Sequence, residues 1–365
     1  MSVGAISSAG TSIWLDDLSR AKIAGSDKHS LPHRIAHDGV VGVTTNPSIF
    51  SNAISQGAEY AADIEKWKSS SVDEVVRVLT TDDVRAACDL FAPIFHNTSG
   101  IDGRVSIEVD PRSARNTAAT ISEGELLWKI VARPNTLIKV PATLEGLPAI
   151  TALIAQGISV NVTLIFSVDR YKAVMDAFIA GLEKRVADGL PLTGIASVAS
   201  FFISRIDTAI DQELKSIGTS QALELCGKSA IANAVLAYEA FLQVEASARW
   251  QCLHILGASM QRPLWASTGV KDPAYDDTQY VMQLLDTHTV NTMPQATLDA
   301  VIDHGADNHG RIRDHFVSAK EVLAKIDALG INLGHVTEAL EIDGVMKFEQ
   351  AWNELLSNVS SAISK

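Results

Sequence analysis

Residues 136–141 read Thr-Leu-Ile-Lys-Val-Pro, a short apolar run that carries one lysine. As a strand it puts Leu137, Lys139 and Pro141 on one face and Ile138 and Val140 on the other. Six further runs share its grammar of β-branched or apolar residues with polar ones near the C-terminal end. They are 40–46, 105–110, 159–166, 195–205, 264–268 and 289–293, and 12–16 makes eight. Between them lie helical patterns. Thr117–Val131 places Ile121, Leu126, Leu127 and Ile130 on roughly one face, and 169–187 spaces Tyr171, Val174, Met175, Phe178, Ile179 and Leu182 by three and four. Nearly continuous apolar strands alternating with helices predict a parallel sheet buried on both faces. Eight of them predict an α/β fold, a closed (β/α)8 TIM barrel. No Gly-x-Gly-x-x-Gly follows the first strand, which argues against a dinucleotide fold.

Two gaps are longer than one helix. Residues 51–103 read as several helices, and 208–261 as a helical insertion between strands six and seven. A last helix, 344–363, carries Val345, Phe348, Trp352, Leu355 and Leu356 on one stripe. That stripe is expected to pack on the barrel wall in preference to forming a lid. No linker, charge block or low-complexity tract divides the chain, so residues 1–365 are expected to form one domain.

The 365 residues are 47% hydrophobic and 20% charged, enough for a large core and too apolar for disorder. Thirty Lys plus Arg against 43 Asp plus Glu gives −13, which argues against a nucleic-acid or anionic-membrane surface. An anionic small substrate would need a local cluster of cations. Three scattered cysteines, Cys88, Cys226 and Cys252, point to a reducing compartment and a cytoplasmic location, with Cys88 in the core. The start, MSVGAISSAGTS, lacks a basic n-region and an apolar h-region, so no export segment is expected. Residues 146–168 carry no charge, but Gln156-Gly157, Ser159, Asn161 and Thr163 interrupt them. They read as a helix, a tight turn and a buried strand, not as a membrane span.

In barrel enzymes the chemistry sits at the C-terminal strand ends. If Lys139 points inward, lost hydration favours a neutral amine, the form that attacks a carbonyl to give an iminium. Glu108 and Asp16, acids in or at the end of strands, suit the proton transfers such an intermediate needs. Two other accounts stay open: an oxygen-ligand metal site of Asp16, Glu108 and Asp110, and a structural salt bridge between Glu108 and Lys139. Asn161 and Thr163 share a face, as do Ser200 and Phe202. Their polar groups suit a polyhydroxylated ligand, or satisfy one another inside the barrel. Arg205 and Lys271 follow strands six and seven, with Ser267 between them, where barrels commonly hold phosphate. The alternative is two solvated surface charges. His29, His33 and His37 are spaced by four, but with Pro32, Leu31 and Ile35 they read as an ordinary amphipathic segment.

Together these strings resemble the transaldolase family. The matches are Leu15-Asp16, Val43-Thr-Thr-Asn-Pro47, Val105-Ser-Ile-Glu-Val-Asp110, Leu137-Ile-Lys-Val-Pro141, Asn161-Val-Thr-Leu-Ile-Phe-Ser167 and Ser200-Phe-Phe-Ile-Ser-Arg205. Trp265-Ala-Ser-Thr-Gly-Val-Lys271 extends the likeness to the longer-chain bacterial branch. The resemblance implies a barrel that needs no metal or organic cofactor. It implies transfer of a dihydroxyacetone unit from a ketose phosphate, typically sedoheptulose 7-phosphate, to glyceraldehyde 3-phosphate. The products would be erythrose 4-phosphate and fructose 6-phosphate, in the non-oxidative pentose phosphate pathway.

Carried over motif by motif, the resemblance makes Lys139 the Schiff-base lysine and gives Asp16 the proton at the C3–C4 bond. Glu108 and Thr163, with a water between them, would assist carbinolamine formation and breakdown. Asn46 and Asn161 would bind donor hydroxyls beside Ser200, and Arg205 would hold the phosphate. Shorter family members have Ala-Ser-x-Arg where this chain reads Ala266-Ser-Thr-Gly-Val-Lys271, so Lys271 stands as the second phosphate cation. The implied partners are sugar phosphates, for a monomer or homodimer that binds neither nucleic acid nor membrane. Phe202 separates this reading from a fructose-6-phosphate-type aldolase. Aldolase relatives carry a tyrosine there, whose hydroxyl helps position the water that hydrolyses the iminium. A non-catalytic sugar-phosphate-binding barrel and a metal-dependent aldolase are the remaining alternatives.

Overall fold

A computed structural model describes residues 2–364. The strands are β1 Thr11–Asp16, β2 Val40–Thr44, β3 Arg104–Glu108, β4 Thr136–Pro141, β5 Val160–Ile165, β6 Ser197–Phe202, β7 Arg262–Ala266 and β8 Thr289–Met293. Each pairs in parallel with the next, and β8 returns to β1 with Thr11 opposite Thr289 and Leu15 opposite Met293. The expected (β/α)8 barrel is therefore present and closed. Its strands are shorter than several of the apolar runs because the polar residues at their ends cap the adjoining helix or turn. Asn46 caps helix Pro47–Gln56, Asp110 caps the turn Pro111–Ser113, and Ser167 caps helix Val168–Ala187. Each accepts a backbone N–H that the first helical turn leaves unpaired.

The uncharged run resolves into helix Gly146–Ala155, a turn at Gly157 with φ +88°, and β5. Among the described residues no helix is long and apolar enough to cross a membrane. Four helices fill the chain between β6 and β7: Ser204–Ile217, Ser220–Leu223, Ser229–Glu245 and Ala248–Ile255. The helical stretch expected at 208–261 thus begins earlier, at Ser204.

Two irregularities bend the barrel strands, the first at the C-terminal mouth. Leu164 has φ +60°, and the β5–β6 register shifts between Val162 and Ile165. A branched residue held there costs on the order of 1–2 kcal/mol, and the bulge re-aims the strand beside Thr163. In β1 the register shifts between Ile13 and Trp14, whose indole lies over Gly42; a Cβ at Gly42 would come within 2.5 Å of it.

The last helix corrects an expectation. It runs Leu333–Ile363, capped by Asn332, and it crosses the mouth instead of lying on the wall. Arg170 Nε donates to Glu341 at 3.1 Å, and Asn358 Nδ2 donates to Ser51 Oγ at 3.0 Å on the far side. Between these two points Gly344 lies against Leu164 and Phe166, and the Phe348 ring centre is 5.6 Å from Lys139 Nζ. Val345, Phe348 and Leu355 are buried, and the helix packs chiefly along helix Pro47–Gln56, which follows β2. Full burial of each such side chain is worth about 1.5–3 kcal/mol.

Candidate active site

β4 puts Lys139 level with Glu108 on β3 and Asn161 on β5. The lysine side chain is 6% exposed and lies 3.7 Å from Glu108 Oε2, while its Nζ donates to the Thr45 carbonyl at 3.0 Å. Both Glu108 oxygens are buried, and among the described residues neither accepts a hydrogen bond. Burial pushes the Glu108 pKa up to about 7; Lys139 pulls it down and the Asp16 carboxylate adds to the rise. A buried ion pair kept for stability has its remaining lone pairs satisfied, and this one does not.

Asp16 ends β1, where it accepts from Thr44 Oγ1 at 2.6 Å. The Thr44 and Thr292 hydroxyls are themselves 2.6 Å apart. Burial raises the Asp16 pKa as well, opposed by Lys139 and by the Thr44 hydrogen bond. One amine therefore faces two acids whose charged forms are disfavoured. Asp110, the third acid of the alternative metal set, instead caps its turn and accepts from Arg112 Nε at 2.9 Å. Among the described residues no cluster of three or more His, Cys, Asp or Glu is placed to hold a metal ion.

Thr163 sits opposite Pro141 on the adjoining strand, with a buried hydroxyl that has no protein partner. Asn161 and Ser200 are already engaged. Ser200 Oγ donates to Asn161 Oδ1 at 2.7 Å, and Asn161 Nδ2 donates to Ser106 Oγ at 3.0 Å. This interior chain fixes both groups across β6, β5 and β3. Asn46 uses Oδ1 to accept from the Ile49 N–H at 3.1 Å, so its NH2 is the end left for a ligand.

Phe202 is buried, with its ring 5.2 Å from Phe166 and 5.5 Å from the Arg205 guanidinium carbon. Arg205 Nη1 is buried without a protein partner, and burial lowers the Arg205 pKa against the pull of Asp343. A desolvated guanidinium with a free N–H at a strand end fits an anion. Ser267 holds φ +55°, its Oγ 2.9 Å from Ser204 Oγ. Lys271 is exposed in the loop after β7; it lines a cleft with Asp207, Asp211, Lys215 and Asp272, and its Nζ lies near Gly269 beside Pro294 and Thr297.

Several residues of the mouth carry little signal in the sequence. Thr44 and Thr45 lie inside the Thr-Thr-Asn-Pro string, which is the one available pointer to them. Ser106 and Thr292 sit in strands without any distinguishing pattern. Phe348 reads as one more apolar residue of a stripe. Elsewhere, Cys88 is buried with Sγ 3.5 Å from Thr136 Oγ1, and the His33 and His37 rings lie 4.5 Å apart, tilted by 44°, on helix Leu31–His37, with Pro32 in its first turn.

Residues 13–359 match the family model described as Transaldolase/Fructose-6-phosphate aldolase. A protein named Transaldolase from Thermobifida fusca is 51% identical over 361 residues, 98% of this chain and 97% of that one. Another, from Mycobacterium ulcerans, is 54% identical over 357 residues, 97% of this chain and 95% of its own. One from Mycobacterium tuberculosis is 53% identical with the same coverage. The chain belongs to the transaldolase/fructose-6-phosphate aldolase family.

Proposed function

We propose that this transaldolase works through a Schiff base on Lys139, moving a dihydroxyacetone unit from sedoheptulose 7-phosphate to glyceraldehyde 3-phosphate. The observation that carries the reading is the buried amine set between Glu108 and Asp16. Lys139 Nζ attacks the C2 carbonyl of the ketose, and Glu108, with a pKa of about 7, takes a proton and returns one as the carbinolamine loses water. Thr163, whose hydroxyl is free, assists at that step. Asp16 removes the proton from the C4 hydroxyl, the C3–C4 bond breaks, and its electrons pass into the iminium. The aldehyde leaves and the enamine waits on Lys139. Addition to the acceptor aldehyde reverses these steps, and water then releases fructose 6-phosphate.

Arg205 holds the phosphate, and Asn46 with the Asn161–Ser200 pair reads the donor hydroxyls. Phe202 and Phe348 bring no hydroxyl to the intermediate, so an acceptor outcompetes water. The reaction belongs to the non-oxidative pentose phosphate pathway, and three unpaired cysteines support a cytoplasmic setting. The test is turnover of fructose 6-phosphate with and without erythrose 4-phosphate. Turnover that depends on the acceptor is expected. Release of free dihydroxyacetone at a comparable rate without acceptor would make the protein an aldolase.

A further inference from the structure

One helical turn beyond Phe348, the C-terminal helix carries Trp352. Its side chain lines a small cavity of about 40 Å³ with Glu108, Asp110, Asp73, Arg77 and Glu123. Two of its lining residues carry buried polar atoms that have no partner among the described residues, Trp352 at Nε1 and Glu108 at both oxygens, while Arg77 Nε lies 4.0 Å from Glu123 Oε1. Buried polar groups are as a rule hydrogen-bonded, and a polar cavity of this size accommodates ordered water. The indole only donates, and an ionised carboxylate only accepts, so the Trp352 and Glu108 atoms are complementary. Residues four apart share a helix face. Phe348 stands against Lys139 of β4, and Trp352 lines the cavity at Glu108 of β3, the neighbouring strand.

We propose that Trp352 is a positioning residue for Glu108: its indole N–H, through water in this cavity, supplies the hydrogen bond that the carboxylate does not receive from protein. The inference rests on the proposed role of Glu108 in proton transfer at Lys139. Donation to the carboxylate favours its ionised form and keeps it able to accept a proton; without it the carboxyl holds its proton to higher pH. The charges facing Glu108 are Lys139 from β4 and Asp16 from β1. Across the cavity stand Asp73 and Arg77 from helix Val72–Asn97, Asp110 after β3, and Glu123 from helix Thr117–Val131.

Trp352→Phe keeps the packing ring and removes the N–H. The Glu108 midpoint is read from the carboxylic C=O infrared band, as the difference between the unsubstituted protein and Glu108→Gln. The expected result in Trp352→Phe is a midpoint raised by about 0.5–1 pH unit, matched by the kcat inflection, with KM for fructose 6-phosphate within about twofold. On a Glu108→Gln background, Trp352→Phe moves no inflection. In the unsubstituted protein the Trp352 indole N–H resonance titrates with the Glu108 midpoint, a readout that needs no Trp352 variant to fold. A midpoint unmoved or lowered by Trp352→Phe, or an indole resonance flat across the Glu108 titration, overturns the proposal. Failure of the unsubstituted protein to transfer the three-carbon unit strikes the proposed function instead, and the infrared and resonance readouts still decide the role of Trp352.

Discussion

The two ends of the barrel treat buried polar groups in opposite ways. At the N-terminal end the charged groups are paired, although Gln261 Oε1 is buried without a partner among the described residues. Arg104 Nε donates to the Gly100 carbonyl at 2.8 Å, and Asn135 Nδ2 donates to the carbonyls of Cys88 and Gly103 at 2.9 and 2.8 Å. Arg262 donates to Asp102 at 3.0 Å and to the Thr289 carbonyl at 2.9 Å. At the C-terminal end Glu108, Thr163 and Arg205 all keep buried atoms without a protein partner. A cavity of about 1020 Å³ opens at the N-terminal end beside Asp102, Trp250 and Arg262, where the Asp102 and Arg262 charges already satisfy each other. Size therefore points to the wrong end and unmet hydrogen bonds to the right one. An unpaired buried polar group costs about 1–3 kcal/mol, and a fold that keeps several together leaves them for a ligand.

The sharpest way to break this contrast is to remove the amine. Lys139→Ala is expected to lose at least about 10⁴-fold in kcat while melting as a folded protein, since its charge is not what holds the barrel together. An active Lys139→Ala, measured after excluding contaminating enzyme, would end the assignment. Glu108→Gln comes next, with kcat down about 10²–10³-fold.

Glu108→Gln also carries a signed pH effect. The folded carboxyl, at about 7, lies above its usual 4.5, so its contribution to stability is lost as pH rises through that window. The melting temperature of Glu108→Gln should therefore gain on the unsubstituted protein between pH 5 and pH 7.5, by up to roughly 2–3 kcal/mol in stability. A difference that stays flat or shrinks with rising pH would remove the desolvated carboxyl from the picture.

Phe348→Ala uncovers Lys139, and acceptor-independent release of dihydroxyacetone should rise about 3- to 10-fold as water reaches the intermediate. An unchanged partition would mean that the helix does not shield it. The smallest effect on turnover belongs to the paired end. Arg104→Met should leave kcat of the folded enzyme within about twofold and remove about 2 kcal/mol of stability, by leaving the half-buried Gly100 carbonyl without its donor. Chemical denaturation checks the second figure, and a large loss of kcat would blur the contrast between the ends.

The same contrast governs what is legible in the sequence. A parallel strand buried on both faces must be apolar along its length, so all eight runs are visible, and Lys139 stands out because an amine is costly there. Asp16 and Glu108 stand out for the same reason. The placement of the last helix is not legible. Periodicity tells which face of 344–363 is apolar, not whether that face meets the wall or the mouth. Its first turns escape notice because His335, Glu338, Glu341 and Asp343 break the apolar pattern, although Asn332 offers an N-cap. For Lys271, spacing after β7 does not say where the loop turns; here it leaves the side chain exposed beside the cleft of Asp207, Asp211 and Asp272. Pairing is likewise a property of space: nothing in the string Asn161-Val-Thr says that the asparagine is satisfied and the threonine is not.

The most direct test adds borohydride together with fructose 6-phosphate and locates the trapped fragment by peptide mass spectrometry. The expected result is a single three-carbon adduct on the peptide containing Lys139, absent when the ketose is omitted. An adduct on a different lysine, or none while the protein remains active, would contradict the assignment of Lys139 as the nucleophile.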